Sequence, residues 1–301
     1  MTRGSHIFLT QTDDASIFGI IGESGCGKST MGRVLVNLEE PTSGEVLFEG
    51  TSSKEILDNN PNEFHQKVQM VFQNPFDTFL PTETIEQLMM RPLEIHHIGD
   101  TYQDKRDLII QTLQDGGLVP AEDFMYRYPH ELSGGQLQRI SILRSMILNP
   151  LFLVVDEPVS MLDVSVRAEI INMLTDLTKK YQTSILFISH DIAVIRYVTQ
   201  RTGVMYLGKI VEMGNTDDII HNPLHPYTQA LVSNCASIDI DEKVEKIKID
   251  GEAPSPIEPG PGCYFADRCN HACDICFKEY PKDQIMPDGR LVACHLVKGV
   301  E

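Results

Sequence analysis

Gly22-Glu23-Ser24-Gly25-Cys26-Gly27-Lys28-Ser29-Thr30 is the stretch that decides how the rest of the chain is read. It matches G-x-x-x-x-G-K-[ST], with Gly25 as an extra glycine inside. The apolar run Ile17-Phe18-Gly19-Ile20-Ile21 precedes it and predicts a buried parallel strand, and residues 31–38 predict a helix after it. Strand, glycine loop and helix together form the setting in which this motif cradles phosphate. Glycines let consecutive backbone N–H groups turn toward phosphate oxygens. Lys28 brings a point charge to the β- and γ-phosphates, and the Ser29 hydroxyl suits Mg²⁺.

Working outward, bulk properties set limits. The chain has 301 residues, enough for roughly two domains, and 42% are hydrophobic, as in ordinary globular proteins. A formal charge of −18 argues against nucleic acid as a main partner. No apolar run approaches the ~20 residues of a membrane-spanning helix. Absence of a secretory signal pattern predicts a cytosolic chain, so any membrane role runs through a partner. Five of the seven cysteines follow residue 262, and in a reducing compartment such clustering favours metal over disulfides.

Buried strands are predicted at residues 68–72, 151–155 and 184–189, with a hairpin around Gly208 and an edge strand at 45–48. Residues 74–148 are mainly helical in period and predict an insertion between two strands of one sheet. The Asp156-Glu157 pair ends one apolar strand, where Asp156 can meet the metal and Glu157 can polarise the attacking water as general base. Ser133-Gly134-Gly135-Gln136 opens a helix, which makes it either a plain N-cap or a second phosphate-binding device. His190 follows the strand at 184–189 and Gln73 follows the strand at 68–72.

The order of these pieces resembles the nucleotide-binding subunits of ABC transporters, over about residues 17–215. That resemblance implies an α/β P-loop NTPase (RecA-like) core with an antiparallel β edge and a helical insertion. It implies ATP contacts at Gly22, Ser24, Gly25, Cys26, Gly27, Lys28, Ser29 and Thr30 (Walker A), Q-loop Gln73, and Mg²⁺ ligands Ser29, Gln73 and Asp156. It further implies a signature at Leu132-Ser133-Gly134-Gly135-Gln136 that acts on the partner's ATP, catalytic Glu157, D-loop Asp163 and switch His190. Two such subunits meet head to tail, closed with ATP and open after hydrolysis.

The C-terminal part resembles one branch, the oligopeptide/dipeptide (and nickel) importers. The resemblance rests on Asn222-Pro223-Leu224-His225-Pro226-Tyr227-Thr228, a proline-rich linker, and Gly262-Cys263-Tyr264-Phe265-Ala266-Asp267-Arg268-Cys269. The expected division is 1–222 as nucleotide-binding domain, with 74–148 as helical subdomain, and 223–301 as a small Cys-rich extension. Cys263, Cys269, Cys276 and Cys294 can hold a 4Fe–4S cluster, known in this branch, or a structural Zn²⁺, with Cys273 an alternative ligand. Implied partners are a second, paralogous ATPase subunit, two transmembrane permeases and, indirectly, an extracytoplasmic solute-binding protein, at the cytoplasmic membrane face. Competing readings are a soluble non-transport ABC ATPase and a regulatory subunit with weak ATPase.

Some positions depart from the family pattern. No tyrosine lies upstream of Gly22 to stack on adenine, and Phe8 is too close to serve. Leu143 and Met161 stand where the family usually has alanine.

Overall fold

The computed structural model describes residues 16–234, 247–249, 251, 254 and 259–299. The expectations for Phe8 and for the upstream segment lie outside them.

In chain order the elements run β1 (Ile17–Ile21), α1 (Lys28–Leu35), β2 (Leu47–Phe48), β3 (Thr51–Ser52), α2 (Ser53–Asn59), α3 (Pro61–Lys67) and β4 (Val68–Val71). The helical stretch follows with α4 (Ile85–Ile95), α5 (Tyr102–Asp115), α6 (Ala121–Met125) and α7 (Gly134–Met146). Then come β5 (Phe152–Asp156), α8 (Val164–Tyr181), β6 (Ser184–Ile188), α9 (Ile192–Val198), β7 (Arg201–Tyr206) and β8 (Lys209–Asn215). The chain closes with α10 (Thr216–His221), α11 (Pro226–Ser233), β9 (Gln284–Ile285) and β10 (Leu291–Val292).

The described residues form two compact units, 32–186 with Ser16, and 17–31 with the chain from 187 onward. In the first unit β4 runs parallel to β5, from Val68 opposite Phe152 to Val71 opposite Val155. Ser184 N–H donates to Leu151 O at 2.9 Å, which lays β6 along the other side of β5. Leu153, Val154 and Val155 are fully buried, as a parallel strand covered on both faces requires. The helices start where their caps dictate. Thr84 with Gln87, and Thr101 with Asp104, form reciprocal capping boxes on α4 and α5.

One local expectation changes. Residues 45–48 do not form an edge of the main sheet; only Leu47–Phe48 is extended, paired antiparallel with β3 in a separate two-stranded sheet. Two short helices, α2 and α3, follow this pair; Asn60 caps the second by accepting from Glu63 N, with Pro61 in its first turn.

In the second unit β1 is parallel to β7, Phe18 opposite Arg201 through Ile21 opposite Val204. β7 turns back into antiparallel β8 through Leu207 and Gly208, both at positive φ, the geometry a tight hairpin needs. β10 pairs antiparallel with β8, and β9 with β10, so the antiparallel edge comes from the C-terminal half of the chain. A buried carboxylate fixes this end. Glu212, fully buried on β8, accepts from Leu224 N at 3.0 Å, His225 N at 2.9 Å and Arg290 at 3.4 Å. Burial pushes its pKa up and so weakens it as an acid, while the N–H donors from His225 and Leu224 pull the other way. Among the described residues no helix is long and apolar enough to cross a membrane.

Candidate functional site: a nucleotide loop and a carboxylate–amide pair

The glycine loop lies between β1 and α1, where the sequence put it. A Cβ on Gly22 would sit 2.2 Å from the Met205 carbonyl oxygen, so backbone from β7 closes on the loop at a distance only glycine permits. Gly25 and Gly27 take positive φ, 79° and 102°, turning the chain. Lys28 is buried, and its ammonium donates to Gly22 O at 2.8 Å and Glu23 O at 3.0 Å. The ammonium also reaches the Cys26 sulfur at 3.9 Å; held by loop carbonyls and a thiol, it can exchange them for phosphate oxygens with little change of position. Cys26 is a buried thiol whose acidity is weakened first by burial, with Lys28 opposing that effect. It packs 2.8 Å from the Gly22 Cβ position, as a space-filling side chain. Gly208 N–H donates to Cys26 O at 2.7 Å, tying the hairpin turn to the loop. Ser29 is half-buried; Ser24 and Thr30 are exposed. His190 is exposed just past β6, and the next residue, Asp191, caps α9 by accepting from Ala193 and Val194 N–H.

The other unit carries the acid pair. Asp156 is buried as the last residue of β5. Glu157 follows at φ +46°, a left-handed conformation that costs a non-glycine residue energy and is concentrated at functional sites. Its backbone is held there by Ser160, whose N–H and hydroxyl reach Glu157 O at 3.3 and 3.1 Å. The Gln73 side-chain amide donates to Glu157 Oε2 at 3.2 Å.

Ser133 turns out to be an N-cap in full. It accepts from Gln136 N at 3.3 Å, while the Gln136 side chain accepts from Ser133 N at 3.1 Å. The cap leaves the Ser133 side chain at the surface, with buried Gly135 behind it. A Cβ on Gly135 would lie 2.5 Å from Val166 Cγ1, so the glycine is required by α8 packing as well. Asp163 is exposed as the N-cap residue of α8, without a side-chain capping bond, beside exposed Met161 and Val164. Leu143, larger than the family's usual alanine, is fully buried against Gly116, where a Cβ would approach it to 2.3 Å. Glycine at 116 therefore makes the room that leucine at 143 takes.

The cysteine expectation is not supported by the geometry. Among the described residues no group of three or more His, Cys, Asp or Glu side chains is arranged to hold a metal ion. The thiols are nonetheless close enough to act on one another. Cys263 is pushed up to about 11, first by burial and then by Cys276, Cys294 and Cys269. Cys273 is exposed, with its sulfur 3.4 Å from that of Cys276.

One set of contacts to the loop had no forecast. Glu23 N–H donates to the Tyr227 hydroxyl at 2.8 Å, and Arg268 grips the Glu23 carboxylate with two bonds of 2.7 and 3.1 Å. Arg268 belongs to the segment that carried the C-terminal resemblance, but its pairing joins positions 245 residues apart and leaves no local sequence signal.

Comparison with known proteins points one way. A family model described as ABC transporter matches residues 10–160, and one described as oligopeptide/dipeptide transporter, C-terminal region, matches residues 211–276. The chain is 42% identical to the oligopeptide transport ATP-binding protein AppF of Bacillus subtilis (strain 168), over 92% of this chain and 84% of that protein. It is also 42% identical to the dipeptide transport ATP-binding protein DppF of Escherichia coli (strain K12), over 92% of this chain and 82% of that protein. Among solved structures it resembles the dimeric post-hydrolysis state of the ATP-binding cassette MJ0796 bound to ADP and Pi, with TM-score 0.60 and 28% identity over 67% of this chain and 85% of that one.

Proposed function

The chain belongs to the ABC transporter family as an ATP-hydrolysing subunit of a peptide importer, and we propose that it works as one half of a head-to-tail pair. The reading is carried by the Gln73–Glu157 contact beneath a strained Glu157 backbone, which suits a base held ready for water. In this reading Gly22, Ser24, Gly25, Cys26, Gly27, Lys28, Ser29 and Thr30 bind the triphosphate. Lys28 moves from the carbonyls of Gly22 and Glu23 to the β/γ-phosphates. Ser29, Asp156 and Gln73 would hold Mg²⁺, which would supply positive charge against the phosphate oxygens. Glu157 takes a proton from the attacking water, Gln73 keeps the carboxylate turned toward it, and His190 steadies the γ-phosphate side. Ser133, Gly134 and Gly135, at the positive end of a 13-residue helix, meet the ATP of the partner subunit, and Asp163 lies at the seam.

The importer class implies transmembrane permeases and a substrate-binding protein. The finer reading adds a paralogous partner ATPase and the cytoplasmic membrane face. A non-transport ABC ATPase finds no support, because the relatives named above are transport subunits. The thiols of Cys263, Cys269, Cys276 and Cys294 are proposed to hold a 4Fe–4S cluster, with zinc as the alternative. That reading is supported by their mutual influence alone and enters no step of hydrolysis.

The test is the concentration dependence of turnover in the purified importer and in the isolated chain. Turnover per chain rises with concentration, and Ser133→Arg abolishes it while ATP still binds. Turnover independent of concentration, with Ser133→Arg fully active, excludes the paired site.

A further inference from the structure

We propose that Arg268 is a positioning residue for the nucleotide loop: it holds Glu23 from the C-terminal extension and masks a carboxylate that would otherwise face the incoming triphosphate. The inference rests on reading the loop as the ATP site.

Glu23 is the second residue of the phosphate-binding loop, yet it is acidic. Its own carbonyl and that of its neighbour Gly22 are the two that Lys28 occupies. A free carboxylate here would repel a nucleoside triphosphate and compete for the Lys28 ammonium. Arg268 removes both liabilities with a two-point guanidinium–carboxylate contact, 2.7 and 3.1 Å, the geometry that fixes direction as well as charge.

The arginine is itself held. Its side chain is 8% exposed, against 28% for Glu23, so the pair is largely shielded from competing water and salt. Arg268 Nη1 also donates to the Tyr206 hydroxyl at 3.2 Å, and the guanidinium lies 5.9 Å from the Tyr206 ring centre. Its backbone belongs to a tight turn, in which Arg268 N donates to Phe265 O at 3.0 Å and Cys269 N to Ala266 O at 3.2 Å. Phe265, on the same turn, packs edge-on against Tyr206 at 5.3 Å and Tyr227 at 5.4 Å. Tyr227 in turn accepts the Glu23 N–H. Glu23 is thus held by its main chain and by its side chain, each time by a residue more than two hundred positions away.

Cys263 and Cys269 flank this turn, and Cys263 N donates to Cys276 O at 2.7 Å. Whatever orders the cysteine segment therefore also orders the arginine that sets the loop.

The experiment uses the full chain in its assembled importer and follows KM for ATP, kcat, ATP affinity and thermal midpoint. The variants are Arg268→Ala, Arg268→Lys, Glu23→Gln, the Glu23→Gln/Arg268→Ala double, and Lys28→Ala as control. Arg268→Ala is expected to raise KM for ATP about 10-fold, at the lower end of couplings between linked sites, with a smaller change in kcat. Arg268→Lys recovers part of the loss, because charge returns without the two-point geometry. In the Glu23→Gln background, Arg268→Ala has no further effect on KM. An equal effect of Arg268→Ala in both backgrounds, or an unchanged KM in a folded Arg268→Ala protein, overturns the proposal. If Arg268→Ala fails to fold, Arg268→Lys and Glu23→Gln carry the same comparison. ATP affinity unchanged in Lys28→Ala would instead defeat the underlying reading of the loop.

Discussion

Gln73 donates its side-chain amide to Glu157 Oε2 across 3.2 Å, linking a residue two positions past β4 to the residue that follows its parallel neighbour β5. The bond restrains a carboxylate whose own backbone is at φ +46°. Glu157→Gln keeps the shape and removes the base. It is expected to lower hydrolysis by roughly 10²–10⁴-fold while leaving ATP affinity near wild type. Gln73→Ala should cost less, since the base remains and only its direction loosens. Phosphate-release kinetics alongside nucleotide affinity check this, and wild-type turnover in Glu157→Gln would end the assignment.

Gly135 is bounded by Val166 Cγ1 at 2.5 Å from its Cβ position. Gly135→Ala is therefore expected to destabilise by about 1–3 kcal/mol through overpacking, offset by the roughly 0.5–1 kcal/mol that alanine returns in a helix. Adding Val166→Ala should recover at least half of the loss. Urea unfolding of both variants decides it, and a double mutant no more stable than Gly135→Ala contradicts the packing account.

His225 is buried, its Nδ1 accepts from Tyr227 N at 3.0 Å, and burial pushes its pKa down to about 4. The unfolded chain, with an ordinary imidazole near 6.5, binds this proton first. Stability from His225 is thus full above about pH 6.5 and is lost as pH falls toward 4, by up to about 3 kcal/mol. Glu212, pushed up by burial, acts with opposite sign over a neighbouring range. The comparison is therefore wild type against His225→Asn, which keeps a capping acceptor. The acid-side slope should flatten in the variant, and an unchanged slope removes His225 as its source.

Protein purified without oxygen is expected to contain iron and acid-labile sulfide and to absorb near ~400 nm, through thiolate ligation of iron. Cys276→Ser should lose the metal and Cys273→Ser should keep it. Colourless protein with stoichiometric zinc favours the alternative, and metal-free protein leaves the thiols as plain packing groups.

The parallel strands and the glycine loop were legible because unbroken apolar runs and a glycine-lysine motif are local signals. Residues 68–71, 152–156 and 184–188 all became strands where the runs stood. Gln73 and Glu157 were legible as candidates but the bond between them was not, whereas the N-cap at Ser133 was one of the two readings its sequence offered. What local sequence withheld was pairing across distance. Leu143 became intelligible only beside Gly116, and Glu23 only beside Arg268. The 45–48 segment misled because alternation reports an exposed strand face without saying which strand it pairs with.

β10 lies along the outer side of β8, with Leu291 opposite Met213, Val292 opposite Glu212, and Ala293 N–H donating to Val211 O at 2.9 Å. A chain ending after α11 would leave that side of β8 with open main-chain donors and acceptors, and would strip Glu212 of Arg290. Such an edge is a template for other strands, so the short C-terminal strands also act as a guard against self-aggregation.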